Sequence, residues 1–337
     1  MVKRLFIFER YIMKKIAVFT SGGDAPGMNA CVRAVVRTAI YNNVEVVGIM
    51  HGYNGMISGG EEFIPMSSRS VGNIIQRGGT ILKSSRSEGF KTKEGRKLAY
   101  DNLVLHGVEG IICIGGNGTF TGAEIFHNEY GIPSIGAPGT IDNDLYGTDF
   151  TIGFDTAINT AMEAIDKIRD TAESHGRIFF IEVMGREAGF IALASGIAGG
   201  AEIILLPEIS EDINEVVQFF KTRELNKKSF SIAIVAEGNY EGGAFSISER
   251  LKREIPNFES RVVILGHIQR GGSPSAYDRV LASKLGNAAV EALLNGEKNK
   301  MAGLINNRIA LTPFHDTVCI KKELNPDLLK LIDILNT

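Results

Sequence analysis

Short, mainly apolar runs alternate along the chain with stretches whose apolar residues recur at helical spacing. Residues 16–19, 44–50, 111–114, 177–183, 203–206, 231–236 and 261–265 read as strands. The run 111–114, closed by Gly115 and Gly116, has the unbroken apolar character of a strand buried on both faces. Residues 30–41 predict a helix, and Ile158, Met162, Ile165 and Ile168 place an amphipathic helix at about 157–170. Ser210, Glu211 and Asp212 predict a helix start, a capping residue followed by acids where the macrodipole favours them. Strand–helix alternation with short connectors predicts an α/β fold with mainly parallel sheets covered by helices on both faces. In such folds ligands sit where strands end and helices begin. The glycine-rich segments at Gly22-Gly23, Gly78-Gly79, Gly115 to Gly118 and Gly271-Gly272 are expected there. No fixed-period repeat or low-complexity linker interrupts the pattern.

Composition narrows the class. The 337 residues correspond to about two domains at ~150 residues each. With 44% hydrophobic and 22% charged residues the chain can fill and cover a core, which argues against disorder. A net charge of −3 argues against nucleic acid as a partner, and no apolar run approaches the ~20 residues of a membrane helix. Cys31, Cys113 and Cys319 are scattered and odd in number, which excludes a disulfide framework or thiolate zinc site and fits a reducing, cytoplasmic setting. Cys113, inside an apolar run, is expected in the core. Residues 1–12 precede Lys14-Lys15 and a clean strand and read as an amino-terminal extension rather than a signal peptide. Against this ordinary background Gly 39 stands out, above the usual ~7% share.

Three loops carry candidate chemistry. IICIGGNGTFTGAEIF, residues 111–126, is a strand, a glycine turn and a helix, suited to presenting backbone N–H groups to phosphate. It matches neither GxxxxGK[ST] nor GxGxxG, and a plain βα turn uses glycine in the same way. TSGGDAPGMNA, residues 20–30, forms a second such turn. PGTIDNDLYGTD, residues 138–149, concentrates carboxylates; if extended, it points Asp142 and Asp144 to opposite sides, one as a base and one towards a metal-bound phosphate. A solvated acidic turn is the alternative. Arg86, Arg177, Arg186, Arg261 and Arg270 flank glycines or strand ends, and arginine suits bidentate capture of phosphate. His267 lies beside Arg270, but the histidines lack metal-ligand spacing, so zinc is not expected.

TSGGDAPGMNA, IQRGGT, GGNGT, PGTIDND, EVMGRE and GHIQRGGSP occur in this order. Together they resemble the bacterial 6-phosphofructokinases of family A over residues 13 to about 316. The resemblance implies phosphoryl transfer from ATP to the 1-hydroxyl of fructose 6-phosphate, a step of glycolysis. It implies two α/β/α sandwich domains with the active site in the cleft between them. Residues 13–152 and about 268–318 would form the larger, ATP-binding domain, and 153–267 with about 319–337 the smaller, sugar-phosphate domain. Asp142 would be the general base, Thr140 would bind sugar and phosphoryl, and Arg186 would stabilise the transferring group. The base is expected to stay ionised beside these cations. Gly23, Arg86, Ser87, Gly116, Asn117, Gly118 and Thr119 correspond to ATP contacts. Asp144, Met184, Gly185, Glu237, His267 and Arg270 correspond to sugar-phosphate contacts, and Arg177 and Arg261 to arginines that reach in from a neighbouring subunit of a homotetramer. Arg33, Arg37, Arg169, Gly200, Glu202, Lys227 and Lys228 correspond to an effector pocket for ADP or phosphoenolpyruvate; one further basic position of that pocket falls near Ser68, beside Arg69. Magnesium would sit near Asp144 and Asn117, where the family usually has GGDG and this chain has GGNG. Pyrophosphate-using relatives carry Asp at Gly118 and Lys at Gly139, so both positions imply ATP. The alternatives are a pyrophosphate-dependent enzyme, a non-catalytic homologue and, more remotely, an NAD-kinase-like protein.

Overall fold

The structure, a computed structural model, describes residues 13–209, 213–225, 231–239 and 242–335. Two sheets organise these residues. Strands β1 (Lys15–Thr20), β2 (Glu45–Ile49), β3 (Phe63–Met66), β4 (Gly110–Gly115) and β5 (Ser134–Pro138) join β10 (Lys300–Ile305) and β11 (Arg308–Pro313) in one, ordered β11-β10-β5-β4-β1-β2-β3. Strands β6 (Ile178–Val183), β7 (Ile203–Leu205), β8 (Ser231–Ala236) and β9 (Ser260–Ile264) form the other, ordered β7-β8-β6-β9. The second sheet is parallel throughout. The first is parallel except at its two edges, where β3 and β11 run antiparallel to their neighbours.

Helices α1 (Met28–Tyr41), α2 (Tyr53–Ser58), α3 (Lys93–Leu105), α4 (Asn117–Tyr130) and α5 (Phe154–His175) occur in the first half of the chain. They are followed by α6 (Phe190–Ala198), α7 (Ile213–Leu225), α8 (Gly243–Glu254), α9 (Ala276–Leu294), α10 (Phe314–Cys319) and α11 (Pro326–Leu335). Successive residues of each central strand enter different cores, as a strand covered on both faces requires. Ile16 and Val18 pack into one cluster, Ala17 and Phe19 into another. In the second sheet Ile181 and Val183 face the first cluster while Phe180 faces a third. Cys113 is wholly buried, its thiol pushed up by burial. No helix among the described residues is long and apolar enough to cross a membrane.

The strands expected from the apolar runs are all present within a residue or two. Helix α1 begins two residues before its expected start, and α5 extends beyond both expected ends. The helix start expected at Ser210–Asp212 lies outside the described residues. The glycines at 78 and 272 correct an expectation. A Cβ at Gly78 would collide with the backbone of Gly272, so these glycines let two loops touch and do not line the cleft described below. Elsewhere a glycine serves the core. Gly136, in β5, lies under the stacked rings of Phe120 and Phe314, whose centroids are 5.1 Å apart. Gly136→Ala is expected to lower stability by about 1–3 kcal/mol, because both rings are rigid and fully buried. Chemical denaturation of the two proteins measures it.

Candidate active site

Strands β1, β4 and β5 are adjacent and parallel, so their carboxyl ends open on one edge of the sheet. The loops leaving them enclose a cleft of about 520 Å³. Ser21, Gly22 and Gly23 come from the first loop; Gly116, Asn117, Gly118 and Thr119 from the second; Gly139, Thr140, Asp142 and Asp144 from the third. Arg86, Ser87, Arg186 and Arg270 line the same cleft. Asn117 opens the 14-residue helix α4, so the second turn presents unpaired N–H groups and the positive end of a helix dipole to the cleft.

Asp142 is 2% exposed. Its Oδ2 lies 3.5 Å from Arg186 Nε and its Oδ1 3.9 Å from Arg270 Nη2, while Oδ1 is buried without a hydrogen-bond partner among the described residues. Burial pushes the carboxyl above the ordinary aspartate value; Arg186 and then Arg270 pull it down but do not outweigh burial. The flanking cations favour the ionised form, as expected, but burial is the larger influence on this carboxyl. Desolvation costs the charge more than two guanidinium groups at 3.5–3.9 Å return. A carboxylate so raised is a stronger base once a substrate brings it a hydroxyl.

The loop is not extended, which corrects the expected opposition of Asp142 and Asp144. Asn143, between them, has φ +54°, and this left-handed residue turns both carboxylates into the cleft. Asn143 is held there by its own side chain, which accepts from Thr151 N at 3.0 Å and donates to Asp149 O at 3.3 Å. Asp144 Oδ2 accepts from Asn117 Nδ2 at 2.7 Å. Burial and the neighbouring Asp142 both push Asp144 up.

The arginines are positioned from the other sheet and from the return segment. Arg186 follows β6 at φ +53°, and Glu237, at the end of β8, fixes this strained turn by accepting from Arg186 N at 2.7 Å and Gly185 N at 3.3 Å. Gln269 Oε1 accepts from Met184 N at 2.9 Å. Arg270 Nη1 donates to Asp24 O at 3.3 Å, and a Cβ at Gly23 would come within 2.7 Å of that nitrogen. Gly23 is thus needed for the arginine as well as for any phosphate. His267 is exposed beside this group.

Residues the sequence did not mark form the other end of the cleft. Tyr53 stacks on Phe90 at 3.8 Å between centroids and donates from its hydroxyl to Thr119 O at 2.6 Å. Ile125 and Gly122 complete this apolar wall. Arg96, almost fully buried, binds Glu129 through Nε at 2.6 Å and Nη2 at 2.7 Å, and holds the Gly89–Lys91 turn through Phe90 O and Lys91 O. The one local signal was Phe90, an isolated aromatic in a polar stretch. The cleft therefore has a cationic, N–H-rich end and a flat apolar end.

The remaining candidates lie elsewhere. Arg177 and Arg261 sit at the amino ends of β6 and β9, away from the cleft; Arg177 pairs with Glu259 at 4.0 Å and Arg261 is exposed. Arg33 and Arg37 face outward on α1. Arg169 is bonded to the carbonyls of Gly199 and Gly200, and Glu202 accepts from Ile232 N at 2.7 Å. Lys227 and Lys228 lie outside the described residues.

Residues 15–293 match the phosphofructokinase family model. The chain is 59% identical to an ATP-dependent 6-phosphofructokinase of Cytophaga hutchinsonii, over 96% of this chain and 98% of that one. It is 56% identical to ATP-dependent 6-phosphofructokinase 1 of Thermus thermophilus, over 96% and 99%. Its fold superimposes on phosphofructokinase from Saccharomyces cerevisiae with a TM-score of 0.84 at 35% identity, covering 96% of this chain and 47% of the yeast one. A pyrophosphate-dependent phosphofructokinase from Marinobacter aquaeolei shares the fold at 24% identity, with a TM-score of 0.81 over 96% of this chain and 92% of that one.

Proposed function

The chain belongs to the phosphofructokinase family, and we propose that it transfers the terminal phosphoryl group of ATP to the 1-hydroxyl of fructose 6-phosphate, giving fructose 1,6-bisphosphate and ADP. Asp142 carries this reading: a buried carboxylate facing two guanidinium groups, at the end of a cleft floored by glycine turns. The Tyr53–Phe90 wall takes the base of the nucleotide. Gly23, Gly116, Gly118 and the start of α4 take its phosphates through backbone N–H groups. Thr140 and Asp142 meet the sugar hydroxyl; as its oxygen bonds to phosphorus and the bond to ADP breaks, the hydroxyl proton passes to Asp142. Arg186 and Arg270 offset the charge on the transferring group, which in phosphoryl transfer supplies most of the acceleration. Met184, Gly185, Glu237 and His267 border the sugar phosphate.

Magnesium fits the donors present. Asp144 is a cleft carboxylate within 2.7 Å of the Asn117 amide, and magnesium takes one or two carboxylates and completes its shell with water and substrate phosphates. When bound it would neutralise phosphate charge. Asn117→Asp is expected to lower the magnesium concentration for half-maximal turnover several-fold, since a second carboxylate replaces a neutral amide. Titration of Mn²⁺ in the presence of a non-hydrolysable ATP analogue reads the same change without turnover; unchanged curves in both would remove the claim.

Gly118 faces open space, with nothing within 4 Å of a Cβ there, which supports room for a nucleotide α-phosphate. Gly139 is closed in by Ile114 and Met28, each 3.0 Å from a Cβ, so a lysine there would displace the loop of Asp142. The deciding experiment supplies fructose 6-phosphate with ATP or pyrophosphate in a coupled assay. Turnover with ATP is expected; turnover with pyrophosphate alone, or with neither donor, overturns the reading.

Arg177 and Arg261 lie away from the cleft of their own chain, Arg177 half-buried and Arg261 exposed, which supports a homotetramer in which each reaches a neighbour's 6-phosphate. Arg33, Arg37, Arg169, Gly200, Glu202, Lys227 and Lys228 are assigned to an ADP or phosphoenolpyruvate site at a subunit boundary. The larger domain is taken as 13–152 with about 268–318, the smaller as 153–267 with about 319–337, and the protein as cytoplasmic.

A further inference from the structure

Lys322 is a half-buried cation that this mechanism leaves unused. It lies between α10, which packs on α4 beside the nucleotide turn, and α11, which packs on α6. Its Nζ donates to Asp149 O at 2.9 Å and lies 5.1 Å from the centre of the Phe190 ring. Burial pushes the ammonium down to about 8, against the pull of Asp149 and Asp144. Desolvating a cation for a carbonyl and an aromatic face is costly, so its placement calls for a reason beyond packing.

Both partners lie on segments that carry cleft residues, Asp149 on the loop of Asp142 and Asp144 and Phe190 just after Arg186. The Asp149 carbonyl also accepts from Asn143, the left-handed residue that turns Asp142 and Asp144 inward, so Lys322 and Asn143 close the carboxylate loop on one oxygen. Phe190 begins α6, four residues after Arg186. One side chain thus ties the segment that carries the base to the helix that follows the arginine facing it.

We infer that Lys322 is a positioning residue, a pin between the two halves of the cleft that keeps Asp142 and Arg186 in register for phosphoryl transfer. The inference rests on the proposed reaction, because it assigns Lys322 a part in that reaction's geometry. It concerns kcat rather than nucleotide capture, since the Tyr53–Phe90 wall lies on other elements.

The test compares wild type, Lys322→Met and Lys322→Arg. Methionine keeps the length but loses the charge and the donor; arginine keeps both. Lys322→Met is expected to lower kcat by about 10- to 100-fold, the scale of a sub-ångström to 1 Å misplacement, with KM for ATP within about twofold of wild type. Lys322→Arg should recover most of the loss. Amide hydrogen exchange over residues 143–151, without substrates, should quicken in the methionine variant and not in the arginine one. A kcat for Lys322→Met within about twofold of wild type overturns the inference, as does a loss that arginine shares equally, or unchanged exchange in that loop. A wild type inactive with both phosphoryl donors sinks the parent reading instead, and the exchange measurement then still decides whether Lys322 pins the loop.

Discussion

Asp142→Asn lowers kcat by roughly 10²- to 10⁴-fold, the contribution of a positioned general base. Asparagine keeps the shape and can still meet Arg186, but it cannot take the hydroxyl proton. Fructose 6-phosphate should still bind, so equilibrium binding and steady-state kinetics separate the two roles. Stability gives an independent check. A carboxyl whose folded value is raised stabilises the fold only while protonated, below its unfolded value of about 4, and that contribution is lost as pH rises through the folded value. At neutral pH the buried Asp142 charge is therefore a cost, and the neutral amide should leave the melting temperature unchanged or higher. A kcat loss below tenfold would remove Asp142 from the role of base.

Arg186→Met should cost kcat about 10²- to 10³-fold, as removal of a preorganised charge at a transition state does. The pH profile gives this prediction its sign. Arg186 is the leading influence that holds Asp142 down against burial. Without it the Asp142 value rises further, so the acid limb of kcat/KM moves to higher pH. The side chain is 53% exposed, so solvent screens part of its field, and Arg270 remains. The shift should accordingly be smaller than complete loss of both arginines would give. An acid limb that stays in place would mean Arg186 acts on the phosphoryl group alone.

Most strands were legible because a strand buried on both faces is apolar along nearly its whole length. Two central ones, β5 and β10, were not, because Gly136 and Pro138 in one and Lys300 and Gly303 in the other break up short runs. The edges were missed as well. Phe63–Met66 contains Pro65, and Arg308–Pro313 is largely solvent-facing, so neither shows the unbroken apolar run that marked β4. The glycine-rich end of the cleft was readable because each loop brings its residues in a contiguous segment. The apolar end was not, because Tyr53 and Phe90 are 37 positions apart and become a wall only when α2 and the Gly89–Lys91 turn meet. Arg96 gave no sign for a related reason: between Lys93 and Lys97, a buried clamp and a solvated cation look alike until Glu129 folds against one of them. The upward push on Asp142 was not legible because sequence shows neighbouring charges but not the depth at which they sit.

The placement of β10 beside β5 has a consequence for how the protein is made. The strands β1 to β5 leave the ribosome early, but the partner of the β5 edge spans residues 300–305, after the whole second sheet. At ~5–20 residues per second, β5 waits on the order of ten to thirty seconds with an unpaired backbone edge. The cleft, which hangs from β1, β4 and β5, is completed late. Arg270 and the α9 segment arrive only after the second sheet has been translated. Truncation before residue 300 would leave this edge bare, so the first two fifths of the chain do not carry a finished sheet under the cleft.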